Sequence, residues 1–100
     1  METIKITEQQ IINALCVYIA DKRQVAPQDV MVELAYDDYG YSAEVEVNNR
    51  QQILIQANII EALRFWLHTE QGIDPYAARL QLELDDEEGI IAFAKFETSY

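Results

Sequence analysis

Two stretches of the sequence decide the fold: residues 11–38, IINALCVYIADKRQVAPQDVMVELAYDD, and residues 59–86, IIEALRFWLHTEQGIDPYAARLQLELDD. They lie 48 positions apart, and an ungapped overlay of their 28 pairs contains eight identities, where average residue usage would give about two by chance. The identical pairs are Ile11/Ile59, Ile12/Ile60, Ala14/Ala62, Leu15/Leu63, Pro27/Pro75, Leu34/Leu82, Asp37/Asp85 and Asp38/Asp86. The pattern predicts one motif used twice, in an N-terminal unit over residues 1–48 and a C-terminal unit over residues 49–97 that are related by a pseudo-two-fold axis.

The N-terminal unit has the pattern of a strand, a helix and a hairpin. Residues 4–6 alternate as a short strand does, and Thr7 is a suitable N-cap for a helix over residues 8–24 with one apolar stripe. Pro27 prevents the helix from continuing. Residues 30–36 and 41–47 then alternate around a polar turn, which is typical of an antiparallel hairpin.

The C-terminal unit follows the same order after a turn at residues 48–50. Residues 52–56 are predicted as a strand, although so short an apolar run could also begin the next helix. Asn58 is a plausible N-cap for a helix over residues 59–71, and residues 80–96 form a second hairpin. We therefore expect one α+β domain over residues 1–100. Its two βαββ units would form a two-layer sandwich with a mainly antiparallel sheet and both helices on one face, the strand order remaining open.

The composition restricts the kinds of partner. Eighteen acidic against seven basic residues give a formal net charge of −11, which disfavours binding to nucleic acids and to anionic membrane surfaces but attracts cations and basic proteins. The single cysteine, Cys16, cannot form an internal disulfide, as expected for a reducing, cytoplasmic location. We expect no signal peptide, because the N-terminus lacks a basic region followed by an apolar one, and no membrane span.

Two acidic turns occupy matching places in the two units and are the candidate metal ligands. Asp37 and Asp38 lie in the first turn, and Asp85 and Asp86 lie in the second. Carboxylates on turns can bind Ca²⁺ or Mg²⁺, but the spacing matches no EF-hand, and Asp is common in turns because it bonds nearby backbone N–H groups. The turn interpretation is preferred, so we expect no cofactor and keep Ca²⁺ or Mg²⁺ as the alternative.

A candidate partner surface combines carboxylates with tyrosines. Glu33, Glu44 and Glu46 share the outward side of the first predicted hairpin, and Glu33 lies opposite Glu44 if its strands pair in the simplest register. Tyr39 and Tyr41 lie at or beside the turn, and exposed tyrosines are typical interface anchors. These residues would bind a basic protein.

The sequence gives little support for catalysis. Whether the protein is an enzyme stays open, and the interpretation that it is not an enzyme is preferred. His68 is the single histidine, and no residue stands at a spacing that makes a triad or a zinc site with it. Cys16 falls on an apolar helix stripe, where it is expected to be a small buried hydrophobe. Three hypotheses remain: a non-enzymatic protein-binding or adaptor module, with a homodimer as an open alternative to a monomer; a divalent-metal protein; and a small-molecule binder in a groove between the units near Trp66 and Tyr76.

Several segments carry a resemblance that covers nearly the whole chain. They are residues 52–57, QILIQA, residues 60–67, IEALRFWL, residues 82–92, LELDDEEGIIA, and residues 35–45, AYDDYGYSAEV. With these segments the chain resembles the YxcD-like family of small uncharacterised proteins from Bacillus and its relatives. The resemblance implies a bacterial cytoplasmic protein and implies no activity.

Overall fold

The computed structural model describes residues 2–74 and 76–96. Along this part of the chain the order strand, helix, strand, strand occurs twice. They are β1 (Glu2–Ile6), α1 (Glu8–Arg23), β2 (Val30–Asp37), β3 (Gly40–Val47), β4 (Arg50–Ile55), α2 (Gln56–Gln71), β5 (Ala78–Asp85) and β6 (Gly89–Phe96), with a 3₁₀ helix at Pro27–Asp29. The α+β class is confirmed. Pro75 and residue 97, which belong to the predicted duplication, lie outside the described residues, and the duplication itself stays a prediction.

The helix starts follow from side chains that bond free backbone N–H groups. At α1, the Thr7 hydroxyl accepts a hydrogen bond from the Gln10 N–H, and the Gln10 side chain accepts one from the Thr7 N–H, a complete capping box. The prediction for α2 was wrong by three residues, since this helix begins at Gln56. Asn58 lies inside its first turn and accepts a hydrogen bond from the Ile55 N–H at 3.1 Å. The strand interpretation of the preceding residues is confirmed up to Ile55.

The strands form two sheets, and the expectation of a single sheet was wrong. The first sheet has the order β2-β3-β4 and the second sheet has the order β1-β6-β5, with antiparallel pairing throughout. The physical reason is the joint between β3 and β4. Asn48 and Asn49 both have left-handed backbone, with φ of 51° and 67°, as a two-residue type I′ hairpin turn requires. Such a turn forces β4 to pair with β3. β1 pairs with β6, so each unit gives its first strand to the hairpin of the other unit.

Contacts at both ends of α1 cross between the two units. At its start, the Glu8 carboxylate accepts a hydrogen bond from the Ile90 N–H of β6 at 2.8 Å. At its end, the Arg23 guanidinium donates to the Gln52 side chain of β4 at 2.6 Å. The N-terminal helix is therefore held against strands that follow it by many residues in the sequence.

The core lies between the helices and the inward sides of both sheets. Seven large side chains there are fully buried: Ile6, Ile11, Leu15, Val45, Ile59, Leu63 and Leu67. The two helices meet where the Tyr18 ring contacts the Phe65 ring edge to face, with 5.7 Å between centroids. Neither described helix has the length and apolar character needed to traverse a bilayer.

The approach of Glu8 to the β5–β6 turn is testable with two glycine substitutions. Gly72 and Gly89 both have left-handed backbone, so Ala costs about 1–2 kcal/mol at either position. A Cβ at Gly72 meets nothing within 4 Å, whereas one at Gly89 collides with the Glu8 carboxylate that binds Ile90. Gly89→Ala should therefore lower the free energy of unfolding by a further ~1–3 kcal/mol, measured by urea denaturation. Equal losses for the two variants would show that the Glu8 contact does not stabilise the fold.

Candidate functional site

The outward side of the first sheet brings the predicted carboxylates together. Tyr36 pairs with Tyr41 in the β2–β3 ladder, and this confirms the register that places Glu33 directly opposite Glu44. Directly paired residues share one face of a sheet. The three outward rows, read from β2 to β4, are Ala35–Ser42–Ile55, Glu33–Glu44–Ile53 and Met31–Glu46–Gln51. We call this side, with Glu33, Glu44 and Glu46, the acidic face.

Large apolar side chains flank these carboxylates. Met31, Ile53 and Ile55 are 66%, 63% and 61% exposed, and no other part of either described sheet shows three such side chains on one outward side. A depression of about 200 Å³ runs beside Met31 between the glutamates. Sequence reasoning missed these three residues, although the alternation that places Glu33 outward also places Met31 there. The face thus combines negative charge with apolar anchors, a composition suited to binding an amphipathic chain.

The two tyrosines of the predicted partner surface do not lie on the acidic face. Tyr39 is at the tip of the β2–β3 turn and is 99% exposed. Tyr41 points to the opposite side of the sheet and packs against Tyr36, with 4.7 Å between ring centroids. Partial burial, with smaller effects of Tyr36 and Glu83, raises the pKa of Tyr41. Only the glutamates of the predicted set therefore form a common surface.

The acidic turns use their first aspartate to hold the turn. The Asp37 carboxylate accepts a hydrogen bond from the Tyr39 N–H at 2.8 Å. The Asp85 carboxylate accepts two, from the N–H groups of Glu88 at 2.9 Å and Glu87 at 2.8 Å, and these bonds lower the pKa of Asp85.

The two acidic turns belong to hairpins of different sheets. The first sheet has Asp37 and Asp38, and the second sheet has Asp85 and Asp86. Within residues 2–74 and 76–96, no three His, Cys, Asp or Glu side chains are grouped so that they could hold a metal ion. The geometry therefore accounts for Asp37 and Asp85 through turn hydrogen bonds alone.

The Asp85 hydrogen bonds predict an acid-dependent loss of stability. Because its pKa is lowered in the folded state, ionised Asp85 stabilises the fold above the ordinary Asp pKa of about 3.9. That contribution is lost as the pH falls from there through the lowered folded value. Asp85→Asn should weaken the dependence of the melting temperature on pH between about pH 2 and pH 5, relative to the wild type. Asp86→Asn, at an exposed neighbouring position, is the control, and identical pH profiles for both variants would contradict the assignment.

Two grooves flank the helix pair, and most of their lining residues correspond in position. The first, of about 370 Å³, is lined by α2 residues together with Tyr18 of α1 and with Tyr76. The second, of about 650 Å³, is lined by α1 residues together with Trp66 of α2 and with Gln28. Lining residues of the two grooves that lie 48 positions apart are Gln9 and Ala57, Ile12 and Ile60, Asn13 and Glu61, Cys16 and Arg64, Val17 and Phe65, Gln28 and Tyr76, and Tyr18 and Trp66. Trp66 and Tyr76, which were expected to share one groove, therefore lie in different ones.

Cys16 and His68 occupy these grooves without forming a reactive group. The Cys16 thiol is half-buried and donates to the Val30 carbonyl oxygen across 3.6 Å. Burial raises the pKa of this thiol, so it stays protonated at neutral pH and behaves as a small hydrophobe. His68 is exposed on α2, as predicted.

Comparisons with known proteins agree with the resemblance seen in the sequence. A family model described as "Protein of unknown function (DUF2653)" matches residues 1–87. The chain is 29% identical over 89 residues to the "Uncharacterized protein YxcD" of Bacillus subtilis (strain 168), an alignment that covers 87% of each chain. No solved structure matches the chain significantly.

Proposed function

Since the chain belongs to the DUF2653 family, whose description names no activity, we propose a function from the geometry of its surface. The protein is a non-enzymatic binding or adaptor module that holds a basic protein segment on the acidic face. The observation that carries the proposal is the Glu33–Glu44 pair with exposed Met31 and Ile53 beside it.

The cross-strand glutamates are unfavourable for the isolated chain. Side chains directly opposite each other have Cβ atoms about 4.5–5.5 Å apart, and like charges there destabilise by a few tenths to about 1 kcal/mol. Both Glu33 and Glu44 are exposed, so water and salt reduce the repulsion without removing it. A cationic group placed over the pair relieves that repulsion, which makes binding of a basic partner favourable at this position.

The apolar neighbours supply affinity that is independent of salt. Burying apolar surface contributes roughly 25 cal/mol per Å², so covering Met31 and Ile53 adds a contribution that charge alone does not give. A partner segment that carries both basic and apolar side chains on one side would match this face, because in an extended chain every second side chain points the same way. Lysines would lie over the glutamates, and apolar side chains would lie against Met31 and Ile53.

The same geometry argues against acid–base catalysis on this face. A carboxylate pair that works as general acid and base needs one member in an apolar cleft that raises its pKa. Here the strands form an open surface, and Glu33 and Glu44 are exposed to water. We place the module in the cytoplasm, because a single cysteine that forms no internal disulfide fits a reducing compartment.

Binding to a synthetic peptide of about nine residues tests the proposal; Lys and Val alternate at every second position with Ser between them, so that both point to the same side of an extended chain. Three exposed charge pairs contribute roughly 0.2–1 kcal/mol each, so E33Q/E44Q/E46Q should weaken binding about tenfold at low salt. The affinity is measured by calorimetry, and amide chemical shifts locate the peptide on β2, β3 and β4.

A matched control variant distinguishes an effect of the acidic face on peptide affinity from an effect of the overall negative charge. E61Q/E70Q/E87Q removes an equal number of negative charges, from exposed positions on α2 and the β5–β6 turn. It should leave the peptide affinity within about twofold of the wild type. Equal weakening by both triple variants, or shifts spread over the whole surface, would refute a specific acidic-face site.

The groove beside Tyr76 favours a second candidate function, the binding of a small apolar molecule. Its volume of about 370 Å³ falls within the range of small-molecule sites, and Tyr18, Ile60 and Phe65 give it apolar walls. Phenol and indole are suitable probes. They should shift the amide signals of Ile60 and Tyr76, and Tyr76→Ala, at an 88% exposed position, should remove the response without changing the melting temperature. No shift at millimolar probe would exclude this function.

A further inference from the structure

The outward side of the second sheet carries the opposite charge. Arg79 of β5 pairs directly with Lys95 of β6, and Lys5 of β1 lies on the same side, opposite Phe93. Three of the seven basic residues of the chain thus share one surface, which we call the basic face. Like Glu33 and Glu44, Arg79 and Lys95 are a like-charge pair directly across a ladder, which is unfavourable in the isolated chain.

We propose that the acidic face docks onto the basic face of a second copy of this chain. This inference rests on the proposed function and names its partner. Glu33 and Glu44 of one copy face Arg79 and Lys95 of the next, so that one contact relieves both like-charge pairs. The exposed apolar residues Met31 and Ile53 then meet the side that presents Phe93, which is half-buried in the isolated chain.

The spacing of the charges supports the match. Both pairs are direct cross-strand neighbours, so each has its Cβ atoms about 4.5–5.5 Å apart, and one pair can lie over the other. Sheets that pack face to face lie about 10 Å apart, a gap that Arg and Glu side chains reaching towards each other can span.

Two acidic residues near the basic face define where the contact lies. Glu83 is on the outward side of β5 but four residues beyond Arg79, roughly 13 Å away and outside the Debye length of about 8 Å at physiological salt. Glu88 forms a salt bridge with Lys5 and neutralises part of that corner. The Arg79–Lys95 pair is therefore the centre of the contact.

The size of the faces sets the strength of the association. Ile91 of β6 lies on the same side as Lys95 and is only 3% exposed, so the end of the basic face beside Glu83 is covered within the chain. The open part is about as long as the five residues of β1 and measures roughly 14 by 17 Å, so docking there buries on the order of 500 Å² in total, the size of a weak contact. The overall charge of −11 further opposes association. Because the two surfaces differ, each docked pair leaves one acidic and one basic face free, and assemblies extend or close into rings.

Charge reversal tests the inference by sedimentation velocity over a concentration series up to about 1 mM. The average mass of the wild type should rise with concentration at low salt and return to that of the monomer in about 1 M salt, where the Debye length is about 3 Å. E33K/E44K/E46K should abolish association even though its formal net charge is only −5, since each change adds two charges to −11. R79E/K95E should abolish it as well. A general effect of net charge predicts the reverse for the glutamate variant, which would then associate more strongly.

Mixing the two variants gives the decisive result. The first has two basic faces and the second has two acidic faces, so neither associates alone, and their mixture should regain association. Circular dichroism and melting curves confirm that each variant is folded. If a charge-reversal variant is not folded, the neutral variant E33Q/E44Q/E46Q or R79Q/K95Q replaces it. Each neutral variant should associate at least threefold more weakly than the wild type.

The outcomes separate this inference from the proposed function. A chain that binds the Lys–Val peptide on the acidic face but stays monomeric at every concentration retains the proposed function and overturns the second copy as partner. Association that persists in both charge-reversal variants places the contact elsewhere and also overturns the inference. A folded variant that loses both peptide binding and self-association is expected only when its substitutions lie on the acidic face. A folded R79E/K95E variant that also lost peptide binding would contradict both proposals.

Discussion

The two-residue turn at Asn48 and Asn49 is the constraint on which the rest of the structure depends. Its left-handed backbone returns the chain directly along β3, so the first strand of the C-terminal unit completes the sheet of the N-terminal unit. β1 lies in the corresponding place beside β6. Each sheet is therefore complete only when both units are folded. The helices bury the inward sides of sheets that neither unit builds alone, and a single hairpin with one helix would leave apolar surface uncovered.

This exchange of first strands also determines the outer surfaces. β4 brings Ile53 and Ile55 to the margin of a face whose charges come from β2 and β3. β1 brings Lys5 to a face whose other charges come from β5 and β6. The protein thus presents an acidic surface on the first sheet and a smaller basic surface on the second, although its total charge is strongly negative. This distribution of charge follows from how few basic residues the chain has and from where the topology places them.

The sequence predicted the local structure well because the local signals are strong. Thr7 with Gln10 begins α1, alternation defines the hairpins, and the Tyr36–Tyr41 pairing follows from the turn between them. The start of α2 was misplaced, because an Asn in the first turn can bond the preceding backbone as well as cap the helix.

The division into two sheets could not be predicted from periodicity, which shows which side of a strand is buried but not which strand lies beside it. The same limit applies to the site. The outward position of the glutamates followed from alternation, whereas the basic face required β1 to lie beside β6, a pairing between residues at opposite ends of the sequence. Tyr41 was assigned to the partner surface because it is near the turn, although its own alternation places it on the inward side.

Cross-strand nuclear Overhauser effects in the isotope-labelled protein test the central claim most directly. The exchange of strands predicts contacts between Ile4 and Ala94 and between Ala43 and Leu54, the β1–β6 and β3–β4 pairings. Contacts from β1 to β2 or β3, or from β4 to β5 or β6, would show that each unit keeps its own first strand, and would contradict the exchange. Ile53 would then not lie beside Glu44, and Lys5 would not lie beside Phe93.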